Sequence, residues 1–168
     1  METNNFSIRY ATKDDCQLIL RFIEGIAAYE KLSDQVEASE EKIAEYLFGE
    51  KAIAECLLGF EGNTPVGFAL FFHNYSTFVS RPGIYLEDLF IEPEFRAKGY
   101  GKKLLLELVK IAKERNCGRL EWSVLNWNKP AIDFYESLGA VAMKGWTVYR
   151  LDEKAIENLH TSYFKSKT

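Results

Sequence analysis

The chain has 168 residues, enough for one well-packed domain and too few for two ordinary ones, and 47% of them are apolar. Its 12 Phe, 9 Tyr and 3 Trp supply the large groups of a packed core, which excludes an intrinsically disordered chain. Lys and Arg total 21 against 25 Asp and Glu, so the net charge of −4 leaves no overall basic field for nucleic acid and better suits a cationic or neutral small partner.

FSIRYA (6–11) alternates and reads as a first strand. Thr12 stands three residues before Asp15, a near relative of a capping box, and opens DDCQLILRFIEGIAAYEKL. There Leu18, Phe22, Ile26 and Tyr29 recur at helical spacing and predict one apolar face. The polar SDQVEA breaks this helix. Ser39, followed by Glu40 and Glu41, places a cap and two acids at the start of a second helix, EEKIAEYLF, which stops at Gly49. AIAECLLGF (52–60), the turn EGNTP and VGFALFFHNY (66–75) predict an antiparallel hairpin. IYLEDLFI (84–91) is apolar on both faces, as a central strand is. KKLLLELVKIAKER (102–115), apolar at 104, 105, 108, 109 and 112, predicts an amphipathic helix. RLEWSVL (119–125) reads as a strand, KPAIDFYESL (129–138) as a short helix ended by Gly139, and WTVYRLD (146–152) as a last strand before a short helix and tail. No repeat, low-complexity tract or linker interrupts the order. A hairpin followed by β-α-β-α-β predicts a single α/β domain with a mixed sheet.

Cys16, Cys56 and Cys117 are odd in number and match no CxxC spacing, so the expectation is reduced thiols in the cytoplasm rather than a disulfide framework or zinc site. His73 and His160 lie in no HExxH context, and no metal is expected. METNNFSIRY lacks the basic and apolar regions of a signal peptide. No stretch approaches the roughly 18 apolar residues of a membrane span, and no membrane partner is expected.

The segment EPEFRAKGYGKKLL (92–105) invites an anion. A Walker loop fails, because position 96 is Arg rather than Gly and Lys103 replaces the Ser or Thr that would hold magnesium. A dinucleotide fingerprint also fits poorly, since Leu104 occupies its third glycine position. A basic RxxGxG between a strand and a long helix needs less. Its glycines let the backbone approach a ligand, and its N–H groups converge on a phosphate with Arg96, Lys98, Lys102 and Lys103 adding charge. The plain alternative is a glycine-rich turn with solvated lysines.

Glu87 and Asp88 are two carboxylates within that apolar central strand, where a regular pleat would send Glu87 to the side of Tyr85 and Leu89 and Asp88 to that of Leu86 and Phe90. Such a group is costly unless it is capped, paired or functional. The functional alternative is a general base, a carboxylate placed to take a proton from a bound group.

Q/RxxGxG/A after a strand and before a helix resembles the acetyl-CoA loop of the GCN5-related N-acetyltransferase superfamily. The likeness runs from FSIRYATKDD to the last strand. AAYEKL, YLEDLFIEPEFRAKGYG and WNKPAIDFYESLGA resemble the diamine (spermidine/spermine) acetyltransferase group and its thialysine-acetylating relatives. The resemblance implies a single acetyltransferase domain over 6–158, with a mixed, mostly antiparallel central sheet flanked by helices, and a tail at 159–168. It implies acetyl-CoA held by the backbone of Leu89, Phe90 and Ile91, by Arg96, Ala97, Lys98, Gly99, Tyr100, Gly101 and Lys102, and by Asn128, Lys129, Pro130 and Ala131. It implies that Glu87 is the general base, taking the proton of an alkylamine whose pKa near ~10.4 otherwise keeps it from attacking a thioester. It also implies that Tyr135 stands beside the leaving sulfur as its acid, although a core aromatic with a satisfied hydroxyl is the ordinary reading of such a tyrosine.

On the acceptor side the resemblance implies contacts from Tyr29, Glu30, Glu87, Glu121, Trp122 and Ser123, with Asp34 and Glu37 adding negative potential nearby. Lys31 beside Tyr29–Glu30, and Lys144 in a shortened VAMKGW where an acid is expected, weaken the case for a long polycation and leave a shorter diamine or lysine-like amine. The expected protein is a cytoplasmic N-acetyltransferase of a small cationic amine, acting as a homodimer. Acetylation of a protein N-terminus or lysine, and a CoA-binding module without catalysis, are the alternatives.

Overall fold

The computed structural model describes residues 5–164. They divide into two compact units, one ending at Ser123 and the other beginning at Val124.

The first unit is built on a five-stranded sheet in the order β1-β2-β3-β4-β5. β1 (Phe6–Tyr10), β2 (Glu55–Glu61), β3 (Thr64–Ser76) and β4 (Arg81–Ile91) pair antiparallel in succession, and β5 (Leu120–Trp122) adds parallel to β4. The predicted hairpin is β2–β3, with Gly62 and Asn63 between the strands. The parallel pair needs a crossover, supplied by α3 (Tyr100–Glu114). The segment order predicts an α/β fold on a mixed sheet, and the family resemblance implies its mostly antiparallel pairing; the structure has both.

Helix α1 (Cys16–Glu30) begins where Arg9 of β1 makes two hydrogen bonds to Asp15, at 2.7 and 2.9 Å, and the Thr12 N–H donates to the same carboxylate at 2.7 Å. These bonds hold Asp15 down at a pKa of about 2, Arg9 contributing most. α1 packs Ile19 and Phe22 against Cys56, Leu58, Phe68 and Phe90. The centre of its apolar face is therefore Ile19–Phe22, while Tyr29 is exposed. Gly25 costs this helix about 1 kcal/mol in propensity. It is required because a Cβ there would stand 2.8 Å from the Phe90 ring. Ser39 caps α2 (Glu40–Ile43) by accepting from the Lys42 N–H at 3.3 Å, and the chain continues as a π turn over Ala44–Phe48.

α3 buries Leu104, Leu105, Leu108 and Ile111. Val109, expected on that face, is 48% exposed, because the stripe advances by three from 108 to 111. Cys16 and Cys56 are buried and Cys117 is half-buried, all three as free thiols. Burial pushes the Cys56 thiol far up.

The second unit contains α4 (Lys129–Ser137) and α5 (Glu153–Phe164). α4 ends in a Schellman turn, with the Ala140 N–H on Tyr135 O at 3.2 Å and the Gly139 N–H on Glu136 O at 3.0 Å. The strand expected over 146–152 does not form: these residues lie in no ladder among the described residues, and Trp146, Val148 and Tyr149 are exposed. Alternation predicts which side chains share a face, but a strand also needs an edge to pair with. The tail divided off at 159 begins inside α5. No helix among the described residues is long and apolar enough to cross a membrane.

Candidate active site

Strand β4 carries the chemistry, and its irregularity positions it. Leu86 pairs with Phe71, and Asp88 with Leu70, so Glu87 is an extra residue without a cross-strand partner on β3. Phe71 and Leu70 are consecutive and point to opposite faces, and cross-strand partners share a face. Leu86 and Asp88 therefore lie on opposite faces. The pleat is broken here by a bulge, a device that re-aims a side chain.

Past the bulge, Asp88 shares a face with Phe68, Leu70 and Phe90, on the α1 side of the sheet. Glu87 is exposed and makes no hydrogen bond or ion pair with the described residues. Asp88 is half-buried and accepts no hydrogen bond from them; burial first, then the charges of Glu87 and Glu30, raise it to about 6. Glu30, at the end of α1, is also raised by burial. Three carboxylates thus converge with no cation paired to them among the described residues, an arrangement that favours a cationic guest.

The same stretch of β4 has an open edge. The β5 ladder ends at the Leu86–Trp122 pair, whereas β4 continues to Ile91. The Glu92 N–H donates to Val66 O at 2.9 Å. Antiparallel neighbours exchange bonds at every second residue, so Asp88 and Phe90 bond toward β3 and the peptide groups of Leu89 and Ile91 face the open edge. Arg96 takes the Ile91 carbonyl with its Nε at 2.9 Å and lays its guanidinium 4.7 Å from the Tyr29 ring centre and 5.6 Å from that of Phe90. It ties the basic loop to β4 and to the end of α1.

The loop itself is shaped by positive φ at Ala97 (63°) and Gly99 (79°). The Lys103 N–H makes the first helical bond, to Gly99 O at 3.1 Å, which leaves the N–H groups of Gly99, Tyr100, Gly101 and Lys102 without intrahelical acceptors at the positive end of α3. A Cβ on Gly99 would meet nothing within 4 Å, so that face is open. A diphosphate fits such a set of donors. The loop's charges are less uniform than RAKGYGKK suggests. Lys98 is bound to Glu61 at 2.9 Å, Lys103 lies 5.3 Å from the centre of the Phe6 ring, and Lys102 is exposed without an ion pair among the described residues. The Tyr100 side chain is buried, so this residue can offer a ligand its backbone only.

On β5, Glu121 accepts from Asn74 at 3.1 Å and pairs with Arg119 at 3.2 Å, while Ser123 bonds the Tyr85 hydroxyl at 2.7 Å and Trp122 is half-buried. In the second unit, Asn128 caps α4 by accepting from the Ala131 N–H at 3.4 Å, Lys129 pairs with Asp133, and Tyr135 lies one turn on, its ring 5.3 Å from that of Phe134. Within the first unit the fold brings together Tyr29, Glu30, Glu87, Leu89, Phe90, Ile91 and Arg96. Asp88 is the residue that sequence reasoning undervalued: its weight comes from the bulge and from Glu30, far away in the chain.

The Acetyltransferase (GNAT) family model matches residues 23–140, most of the chain, and the protein belongs to that family. It is an N-acetyltransferase. It is 39% identical over 163 residues to the thialysine N-epsilon-acetyltransferase of Bos taurus, covering 90% of this chain and 95% of that protein. It is 45% identical over 91 residues to the L-ornithine N5-acetyltransferase of Arabidopsis thaliana, covering 54% and 40%. Among solved structures, an integron cassette protein from the mobile metagenome of V. cholerae superposes with a TM-score of 0.77 at 28% identity, covering 98% of this chain and 99% of that one.

Proposed function

We propose that the protein transfers the acetyl group of acetyl-CoA to a primary amine of a small dication or lysine-like amino acid. One observation carries this reading: the cluster of Glu30, Glu87 and Asp88, with no cation paired to it among the described residues, lies where β4 loses β5 and runs into the N–H-rich start of α3. Relatives named for thialysine and ornithine acetylation support the acceptor class. Glu121, already engaged by Asn74 and Arg119, adds little attraction for a long polyamine.

In this reading the diphosphate sits on the N–H groups of residues 99–102, backed by the Arg96–Lys102 segment, and the pantetheine arm lies along the open edge at Leu89–Ile91. Asn128 to Ala131 line the coenzyme from the start of α4. Glu87 takes a proton from the acceptor's ammonium, directly or through water. The free amine adds to the thioester carbonyl, and the N–H groups of the open edge stabilise the oxyanion. The C–S bond then breaks as the nitrogen sheds its second proton to solvent, giving the amide and CoA; the departing sulfur accepts a hydrogen bond or a proton from Tyr135, which the released proton restores. Asp88, Glu30 and Tyr29 attract and orient the second cationic group, with Trp122 and Ser123 at the rim. Three free cysteines suit the cytoplasm. A homodimer would cover the exposed apolar residues of the second unit.

The test is thiol release from acetyl-CoA across thialysine, ornithine, lysine, putrescine, spermidine and a basic peptide, with CoA affinity measured by calorimetry. Turnover of the small amines and neglect of the peptide are expected. Absence of CoA binding, or preference for the peptide, overturns the reading.

A further inference from the structure

Glu61, the last residue of β2, has no place in the reaction described above, yet it touches the basic loop on both sides of its αL glycine. Its carboxylate accepts from Lys98 Nζ at 2.9 and 3.2 Å and from the Tyr100 hydroxyl. These partners lie 37 and 39 residues away in the chain, and Gly99, with φ 79°, stands between them. The β1–β2 register sets Phe6 opposite Glu61, and the Phe6 ring stacks on Tyr100 at 4.3 Å, inclined by 10°. Tyr100 is thus held by its face and by its hydroxyl. It is only 4% exposed, so its hydroxyl needs an acceptor.

We propose that Glu61 is a positioning residue for the acyl donor: by holding Lys98 and Tyr100 together it fixes the turn at Gly99 and keeps the N–H groups of residues 99–102 convergent. The inference rests on the reading of this loop as the diphosphate site. Two effects oppose one another there. A carboxylate near a diphosphate is repulsive, and its removal would free Lys98 to bind phosphate; on that balance alone, loss of Glu61 would tighten binding. Glu61 also supplies the acceptor for a buried tyrosine at the first position of α3; without it Lys98 is released and the Tyr100 hydroxyl is left unpaired, with only the Phe6 stack holding the ring. Convergence of several donors on one anion needs fixed geometry, so ordering outweighs repulsion.

The experiment compares wild type with Glu61→Ala, Glu61→Gln and Tyr100→Phe in steady-state kinetics, together with calorimetric Kd for CoA and melting temperatures. Glu61→Ala is expected to raise both KM for acetyl-CoA and Kd for CoA about tenfold, the loss falling on KM rather than on kcat or on KM for the amine. Tyr100→Phe should reproduce part of the loss, and the double variant should lose no more than Glu61→Ala alone, because the two groups act as one unit. Glu61→Gln keeps an acceptor oxygen and should fall between; it decides the matter if the alanine variant does not fold. Unchanged or tighter CoA binding in the Glu61 variants, or a loss shared equally by kcat and both KM values, overturns the proposal. Failure of wild type to bind CoA would instead overturn the reading of the loop itself.

Discussion

Asp88 and Glu87 are neighbours in sequence with opposite physical situations. Glu87 is exposed, so its carboxylate is free to act; Asp88 is half-buried without a donor, and its ionised form is disfavoured up to about pH 6. An aspartate ionises near 3.8 in the unfolded chain, so between about pH 4 and 6 the folded protein holds the proton that the unfolded chain has lost. Stability therefore falls as pH rises through that window, by up to about 3 kcal/mol for a rise of this size. Asp88→Asn should raise the melting temperature at pH 7.5 and give no gain near pH 4, measured by calorimetric scans at both values. Asp15 has the reverse sign. Its stabilisation is complete above its unfolded value and is lost as pH falls toward 2. Glu87→Gln should lower kcat/KM by about 10²–10⁴ at neutral pH, the range of a general base. Unimpaired turnover there would remove Glu87 from that role. Tyr135→Phe should lower kcat and alter the alkaline limb of its pH profile; an unchanged profile would remove the acid role.

At the scale of elements, β4 owes its place to α1. The Phe90 ring occupies the space above Gly25. Gly25→Ala gains helix propensity but forces that ring to move, an overpacking that costs about 1–3 kcal/mol. A lower midpoint in urea is expected, with weaker acetyl-CoA binding, since residues 89–91 would shift along with Phe90. Gly99→Val places a β-branched residue at φ 79° and covers the open face of the loop, so CoA affinity should fall at least tenfold in calorimetry. These elements were legible because their signals are local. The EGNTP turn, the Ser39 cap, the alternation of 52–60 and 66–75 and the basic RxxGxG before an apolar helix lie within a few residues of the structures they specify. The bulge at Glu87 was not legible. It is set by the pairing of β4 with β3, and nothing in IYLEDLFI distinguishes it from a regular strand. Glu61 was invisible for the same reason, its two partners lying in the later basic loop. The strand over 146–152 failed in the other sense: the alternation is present and a paired edge is not.

For the molecule as a whole, apolar exposure is concentrated in the second unit. Trp146, Val148 and Tyr149 are 76, 84 and 93% exposed, and Leu151 with Ile156, Leu159, Tyr163 and Phe164 lines an apolar groove. Surface of this kind normally meets a partner. A dimer mass by light scattering at micromolar concentration is expected, and the double variant Val148→Asp, Tyr149→Asp should shift it toward the monomer. The bulge has one more implication at this scale. If residue 87 were excised rather than replaced, Leu86 and Asp88 would become consecutive and would still stand opposite Phe71 and Leu70. The sheet would close over the gap without losing a rung. The shortened chain should fold as well as its parent and acetylate nothing, separating in one lesion what builds the strand from what the strand was bent to present.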